Sequence, residues 1–176
     1  TKNMQSYHQL FQVLLKDIKV ELTDEFNKNF ERKAFFTTKW KTAQRNTIGS
    51  LMIRTGALRS SIRSKVSGNA ITWESSLPYA DIHNQGGTIT VTQKMKGFFW
   101  YRYRMATGGD SKNVNAESIF WKSMALKKVG SKIVLPKRQF IGEHPQVHKV
   151  IKQTTDDWFI NDVKPIIDEQ FNNMIR

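Results

Sequence analysis

The longest regular pattern of apolar residues lies at the beginning of the chain. In residues 4–32 no proline or glycine interrupts a series of large apolar side chains, and the remaining positions carry mixed charge. A spacing of four residues places side chains on one face of an amphipathic helix. The pattern predicts a single helix of about 40 Å, at roughly 1.5 Å per residue. This helix is expected to pack on the core, with a contact to another subunit as the alternative for part of its length. The apolar series is Leu10, Leu14, Ile18, Leu22, Phe26 and Phe30.

Residues 33–53 form a transition in which aromatic and basic residues alternate. Phe35, Phe36 and Trp40 lie among lysines and arginines. Aromatic residues interleaved with basic ones can bind single-stranded nucleic acid by stacking on the bases. The alternative is a loop that its aromatic side chains pin to the core.

The centre of the chain alternates with the period of strands. Residues 62–67 and 70–75 flank Gly68-Asn69, a pair that tolerates the positive φ of a tight turn, and this predicts a β-hairpin. Thr55 is expected to cap a short helix that begins at Gly56. The other predicted elements are a helix over 78–85 stopped by Gly86-Gly87, a strand over 88–92, a loop over 107–116, a helix over 117–128, a strand over 132–135, and a helix over 145–175 that Pro165 kinks or splits.

One segment leaves two structures open. Residues 98–105 contain four consecutive aromatics, and their periodicity fits a strand and a helix equally well. The order of the other elements predicts one α+β domain over residues 1–176. Its small, mostly antiparallel sheet packs against the long N-terminal helix and a C-terminal helix. The core covers residues 50–142, and residues 93–130 form a helical insertion that elaborates it.

The charge is concentrated in the middle of the chain. The net charge is +13, while residues 33–142 contain 19 basic and 4 acidic residues, a net +15. A body this basic attracts polyanions, and contacts with phosphates weaken steeply with salt. The alternative is a solvated basic surface. No apolar run approaches the roughly 20 residues that a membrane span requires, and no leader with a long apolar stretch is visible.

Catalytic and metal-binding patterns are missing from the sequence. Cysteine is absent, which excludes disulfides and thiol catalysis. Ser60 or Ser61 with His83 and Asp81 could be drawn as a hydrolase set, but no nucleophile elbow surrounds either serine. His144 and His148 share a helical spacing, yet Pro145 stands where a zinc protease needs glutamate. The sequence therefore predicts no catalytic residue, no metal site and no cofactor.

Three short motifs carry the most specific information. The first motif is residues 54–62 (Arg-Thr-Gly-Ala-Leu-Arg-Ser-Ser-Ile), the second is residues 79–87 (Tyr-Ala-Asp-Ile-His-Asn-Gln-Gly-Gly), and the third is residues 136–142 (Pro-Lys-Arg-Gln-Phe-Ile-Gly). Each combines turn residues, apolar anchors and a few polar groups. Such combinations mark strand ends, helix ends and subunit contacts.

Together the motifs resemble those of the phage virion morphogenesis family, the tail-completion and neck proteins of tailed phages. The first motif matches the family pattern T-G-x-L-R-x-S-I. The second matches an aromatic-Ala-x-x-His-x-x-Gly-Gly pattern that follows a hairpin. The third matches Pro-x-Arg-x-Phe-(Ile/Leu)-Gly before the last helix. Order and spacing agree over residues 51–142.

The resemblance implies a structural virion protein of the head–tail joint, without catalysis. It implies a homo-hexameric ring through which DNA passes, and neighbours that are neck, portal-adaptor or tail-tube proteins. The protein would be made in the host cytoplasm, with no membrane association and at most non-specific contact with genomic DNA. A basic nucleic-acid-binding protein is the alternative function.

The matching residues have two possible roles. They keep the fold, or Arg59, His83 and Arg138 among them also make subunit contacts. The full set is Thr55, Gly56, Leu58, Arg59, Ser61, Tyr79, His83, Gly86, Gly87, Pro136, Arg138, Phe140 and Gly142.

Overall fold

A computed structural model describes residues 2–42, 51–53 and 55–175. Arg54 of the first motif and residues 43–50 of the predicted transition and core lie outside the described residues. The elements confirm an α+β protein with a long N-terminal and a C-terminal helix. They are α1 (Lys2–Arg32), β1 (Ala34–Phe35), β2 (Thr38–Lys39), α2 (Ala57–Ser60), β3 (Ile62–Ser67), β4 (Ala70–Ser75), α3 (Ala80–Gln85), β5 (Gly87–Thr90), α4 (Gln93–Thr107), α5 (Ala116–Ala125), β6 (Lys132–Leu135), α6 (Pro145–Trp158), a π-helical turn (Phe159–Val163) and α7 (Lys164–Met174).

Helix α1 organises the core. Its apolar stripe is buried from Leu14 to Phe30, as the four-residue spacing predicts. Two apolar clusters lie along it. The first cluster joins α1 to β1, β4 and α6, with Phe26 against Phe35 and Trp73. The second cluster surrounds Phe30 at the C-terminal end of the helix.

Within the described residues, the strands form three antiparallel pairs instead of one small sheet. The pairs are β1–β2, β3–β4 and β5–β6. The predicted hairpin is confirmed at both strands, with Ile62 opposite Ser75 and a turn at Gly68, whose φ is +58°. The pair β1–β2 was not predicted, because its strands have only two residues each. Phe35, Phe36 and Trp40 are buried in this segment, so they are unavailable for stacking on bases.

Two short helices begin later than predicted. Gly56 has φ +74°, a left-handed conformation, so α2 begins at Ala57 and Gly56 occupies the N-cap position. The Thr55 hydroxyl still accepts a hydrogen bond from the Ala57 N–H, at 3.3 Å. Helix α3 begins at Ala80 instead of Pro78, because the Ala80 N–H bonds to Leu77 O in a preceding turn.

The insertion is a helical hairpin between two paired strands. The undecided aromatic segment is helical: Thr92 caps α4 through the Met95 N–H, and Asn115 opens α5 with a capping box. Trp121 of α5 stacks on Phe99 of α4, with ring centroids 6.1 Å apart. Strand β5 ends at Thr90, two residues before the predicted end. Val91 is then almost fully buried, and its N–H and O bond to Ser131 O and Gly130 N.

The C-terminal helix is interrupted, as Pro165 predicts. Helix α6 ends at Trp158, a π-helical turn follows, and α7 begins at Lys164. Proline has no N–H to donate to the carbonyl four residues earlier, so the regular α-helical ladder cannot continue through it.

Candidate functional site: the three motifs

The three motifs meet in the second cluster. Leu58 and Ile62 of the first motif, Ala80 of the second and Phe140 of the third are buried there together. Phe140 has no exposed surface, and its ring lies 5.2 Å from that of Phe30. Burying a phenylalanine side chain contributes about 1.5–3 kcal/mol. Residues as far apart in sequence as Phe30 and Phe140 therefore form one core.

Asn84 connects the second motif to the third. Its side-chain oxygen accepts the N–H groups of Phe140 and Ile141 at 2.8 and 3.2 Å, and its side-chain nitrogen donates to Ile141 O at 3.2 Å. Close by, the Arg138 N–H donates to His83 O at 2.9 Å. A buried amide with three partners fixes the path of the third motif, because the motif's backbone groups would otherwise be unsatisfied.

Asn29 connects the third motif to α1. It is fully buried, donates from its side-chain nitrogen to Phe140 O at 3.2 Å, and accepts the Phe36 N–H at 2.9 Å. Trp40 adds a bond from its indole N–H to Gln139 O at 2.7 Å. Asn29 and Asn84 are not among the residues predicted from the sequence. One sequence feature indicates a buried role for Asn29: it lies three residues after Phe26, on the apolar face of α1.

The motif glycines have different roles. Gly86 has φ +75°, and a methyl group there would lie 2.7 Å from the backbone nitrogen of Lys137. The second motif thus touches the backbone of the third, and only glycine permits that approach. Gly87 faces Ile82, Gly142 faces Gln139, and Gly56 has open space around it.

Two cations of the motifs, Arg59 and Arg138, bind partners within the chain. Arg59 forms an ion pair with Glu31 of α1 at 2.8 Å. Arg138 is buried, and its Nε donates to Lys41 O at 3.1 Å. Burial lowers the pKa of Arg138. Burial, and secondarily the charge of Arg138, lowers the pKa of His83, which favours its neutral form. A subunit contact by Arg59, His83 or Arg138 stays a prediction.

The serines do not form a catalytic set with His83. The Ser61 hydroxyl lies 2.7 Å from Leu58 O and 2.7 Å from the Ser75 hydroxyl, within the bend between α2 and β3. Among the described residues no hydrogen bond joins Ser60 or Ser61 to His83, and the His83 Nδ1 has no partner. The ring of His83 packs edge-on against Tyr79 instead, with centroids 6.0 Å apart.

The two C-terminal histidines are used differently. His144 caps α6 by accepting the Gln146 N–H at 3.1 Å, and its ring stacks on Phe36. His148 is exposed and lies 3.4 Å from Glu143. Within the described ranges, no three histidine or acidic side chains cluster as metal ligands would. Nor does any described helix have the length and apolarity to cross a membrane.

The geometry defines a small α+β protein whose motif side chains hold its core together. Residues 8–159 match the model of the phage virion morphogenesis family, 152 of the 176 residues. The chain belongs to this family. It is therefore a structural, virion-associated phage protein. No curated protein and no solved structure matches the chain.

Proposed function

We propose that the protein completes the head–tail joint of a tailed phage. In this role it assembles into a homo-hexameric ring, joins neck, portal-adaptor or tail-tube proteins, and lets DNA pass through the ring. The family match over residues 8–159 is the observation that carries the proposal. The motif residues support it, because their engagement in the core points to a scaffold.

The exposed surface supports an assembling protein. Large apolar side chains are exposed on the helical insertion and on the helix after Trp158, including Phe98, Tyr101, Phe171 and Met174. Large contiguous apolar patches on a soluble chain mark surfaces that a partner covers. We propose that neighbouring virion proteins and further copies of this chain cover them.

The basic middle of the chain supports contact with a polyanion. The excess of +15 in residues 33–142 lies between terminal regions that are neutral or acidic. A ring that displayed this charge toward its channel would attract the DNA backbone without reading its sequence. The same excess favours the second candidate, a nucleic-acid-binding protein that acts as a free chain.

Deletion of the gene from its phage tests the proposal. We expect DNA-filled heads and finished tails that remain separate in electron micrographs. Purified protein added to the lysate should join them and restore infectivity. The variant Val134→Ala, at an exposed position of β6, should restore infectivity as the wild type does. Normal joined particles in the deletion strain would contradict the head–tail role.

A further inference from the structure

Two helix faces of this chain are apolar, exposed and unlike in charge. On α4, Phe98, Tyr101 and Met105 recur at spacings of three and four residues and are 53%, 57% and 62% exposed. On α7, Ile167, Phe171 and Met174 recur at spacings of four and three residues and are 48%, 59% and 77% exposed. Each set occupies one narrow stripe on its helix. We call these the α4 stripe and the α7 stripe.

The α7 stripe has no cover within the described chain. The π-helical turn and α7 contribute no buried residue. Helix α7 continues α6 through the π-helical turn, yet most helix stability in proteins comes from packing one apolar face. Helix α7 therefore needs a surface that it does not find in its own described chain.

The α4 stripe offers a surface of matching length and chemistry. Helix α4 is packed against α5 on its other side, where Phe99 contacts Trp121 and Arg102 pairs with Glu117 at 3.0 Å. At roughly 1.5 Å per residue, α4 and the segment from Phe159 to Met174 are each about 22–24 Å long. Two apolar stripes on helices of this length can pack against each other side by side.

The charges around the two stripes are opposite. Residues 93–130 carry eight basic and two acidic residues, net charge +6. Residues 159–175 carry one basic and three acidic residues, net charge −2. Lys94 and Arg104 of α4 and Asp168 and Glu169 of α7 are exposed, and none takes part in an ion pair among the described residues. Complementary charge around an apolar contact steers association and selects the partner.

We propose that α7 of one copy packs its stripe on the α4 stripe of a second copy. The two surfaces are different patches of one chain, so the contact is heterologous and runs head to tail. Head-to-tail contacts close into rings when the rotation between copies permits. The inference rests on the proposed function and deepens it, since it names the surfaces that join the copies.

Alanine variants test the contact in the purified full chain. We expect Ile167→Ala/Phe171→Ala and Tyr101→Ala/Met105→Ala each to weaken self-association about tenfold or more, measured by light scattering over a concentration series. Alanine keeps the helices, since it has the highest helix propensity. The control Val20→Ala, an exposed position on α1, should associate like the wild type. A wild-type chain that stays monomeric at millimolar concentration and low salt would overturn the proposal.

Charge reversal gives the sharpest test of pairing. Asp168→Lys/Glu169→Lys alone and Lys94→Glu/Arg104→Glu alone should each weaken association. A mixture of one chain with each pair of changes should associate through the reversed surfaces again. If the mixture associates no better than the single variants, the two stripes do not meet.

Cross-linking identifies whether the occupant is a second copy. The natural chain has no cysteine, so Gly97→Cys beside the α4 stripe and Gln170→Cys beside the α7 stripe are unique handles. A mixture of the two variants should give cross-linked dimers with a short bis-maleimide. When the control variant Lys16→Cys takes the place of either one in the mixture, no cross-linked dimer should form. Closure within one chain carrying both cysteines would show that α7 folds back instead. Virion incorporation of the stripe variants is measured as well. If the two stripes do not meet but the head–tail role holds, these variants should still enter virions and join heads to tails like the wild type.

Discussion

One glycine in the second motif holds a place that no other residue can take. Gly86 combines φ +75° with ψ 172°, a conformation that is essentially restricted to glycine. Its missing side chain also lets the second motif touch the Lys137 backbone. The family pattern contains Gly56 as well, yet nothing lies near its missing side chain. Both glycines match the family pattern, but the structure shows a different physical reason for glycine at each position.

The variants Gly86→Ala and Gly56→Ala distinguish these two physical reasons. We expect Gly86→Ala to lower the free energy of unfolding by about 2–5 kcal/mol, from the backbone strain plus the clash with Lys137. Gly56→Ala should cost only about 1–2 kcal/mol, the cost of a left-handed conformation alone. Urea unfolding of the three proteins measures both. Equal losses would contradict the close approach seen at Gly86.

The buried role of a residue could be predicted from the sequence only where a regular pattern of apolar residues indicated it. The stripe of α1 predicted Leu10, Leu14, Ile18, Leu22, Phe26 and Phe30 as core. Five of the six are buried, and Leu10, near the start of the helix, is only half-buried. Asn29 and Asn84 were not predicted as core residues, because asparagine side chains are mostly solvent-exposed in folded proteins. Their roles depend on partners more than 50 residues away.

At the level of elements, local rules predicted most of the fold. The β3–β4 hairpin, β6 and the break near Pro165 follow from turn and proline chemistry. Residues 98–105 could not be assigned, because large aromatics occupy both buried and exposed faces of α4. The separation of the described strands into three pairs could not be predicted either, because contacts distant in sequence decide whether such pairs join into one sheet.

The helical insertion should be removable as a unit. We expect that replacing residues 92–130 with an Asn-Gly turn leaves a chain that unfolds cooperatively, because Val91 and Ser131 already bring the strand ends together. Exposure of Val91 should cost about 1–3 kcal/mol. Thermal unfolding followed by circular dichroism measures this, with the full chain as control. A non-cooperative transition would show that the core depends on the insertion.

At the level of the whole molecule, the charge distribution separates the two candidate functions. If the basic middle meets DNA only in an assembled ring, the free chain should bind duplex DNA weakly, with a dissociation constant of about 1 µM or more at physiological salt. A free DNA-binding protein that contacts six or more phosphates would bind tightly and lose roughly 10³-fold between 50 and 200 mM salt. A fluorescence titration at both salt concentrations decides between them. Tight, steeply salt-dependent binding by the monomer would favour the second candidate.

The hydrogen bond between Asn29 and Phe140 has a consequence for biosynthesis. It joins residues 111 positions apart, and Phe140 completes the second cluster. A chain growing on the ribosome therefore cannot finish this cluster before the third motif has emerged. Contacts so distant in sequence also slow folding, because a long loop must close first. Truncated products that end before residue 136 lack this closing contact, so a finished second cluster belongs only to chains long enough to carry the third motif.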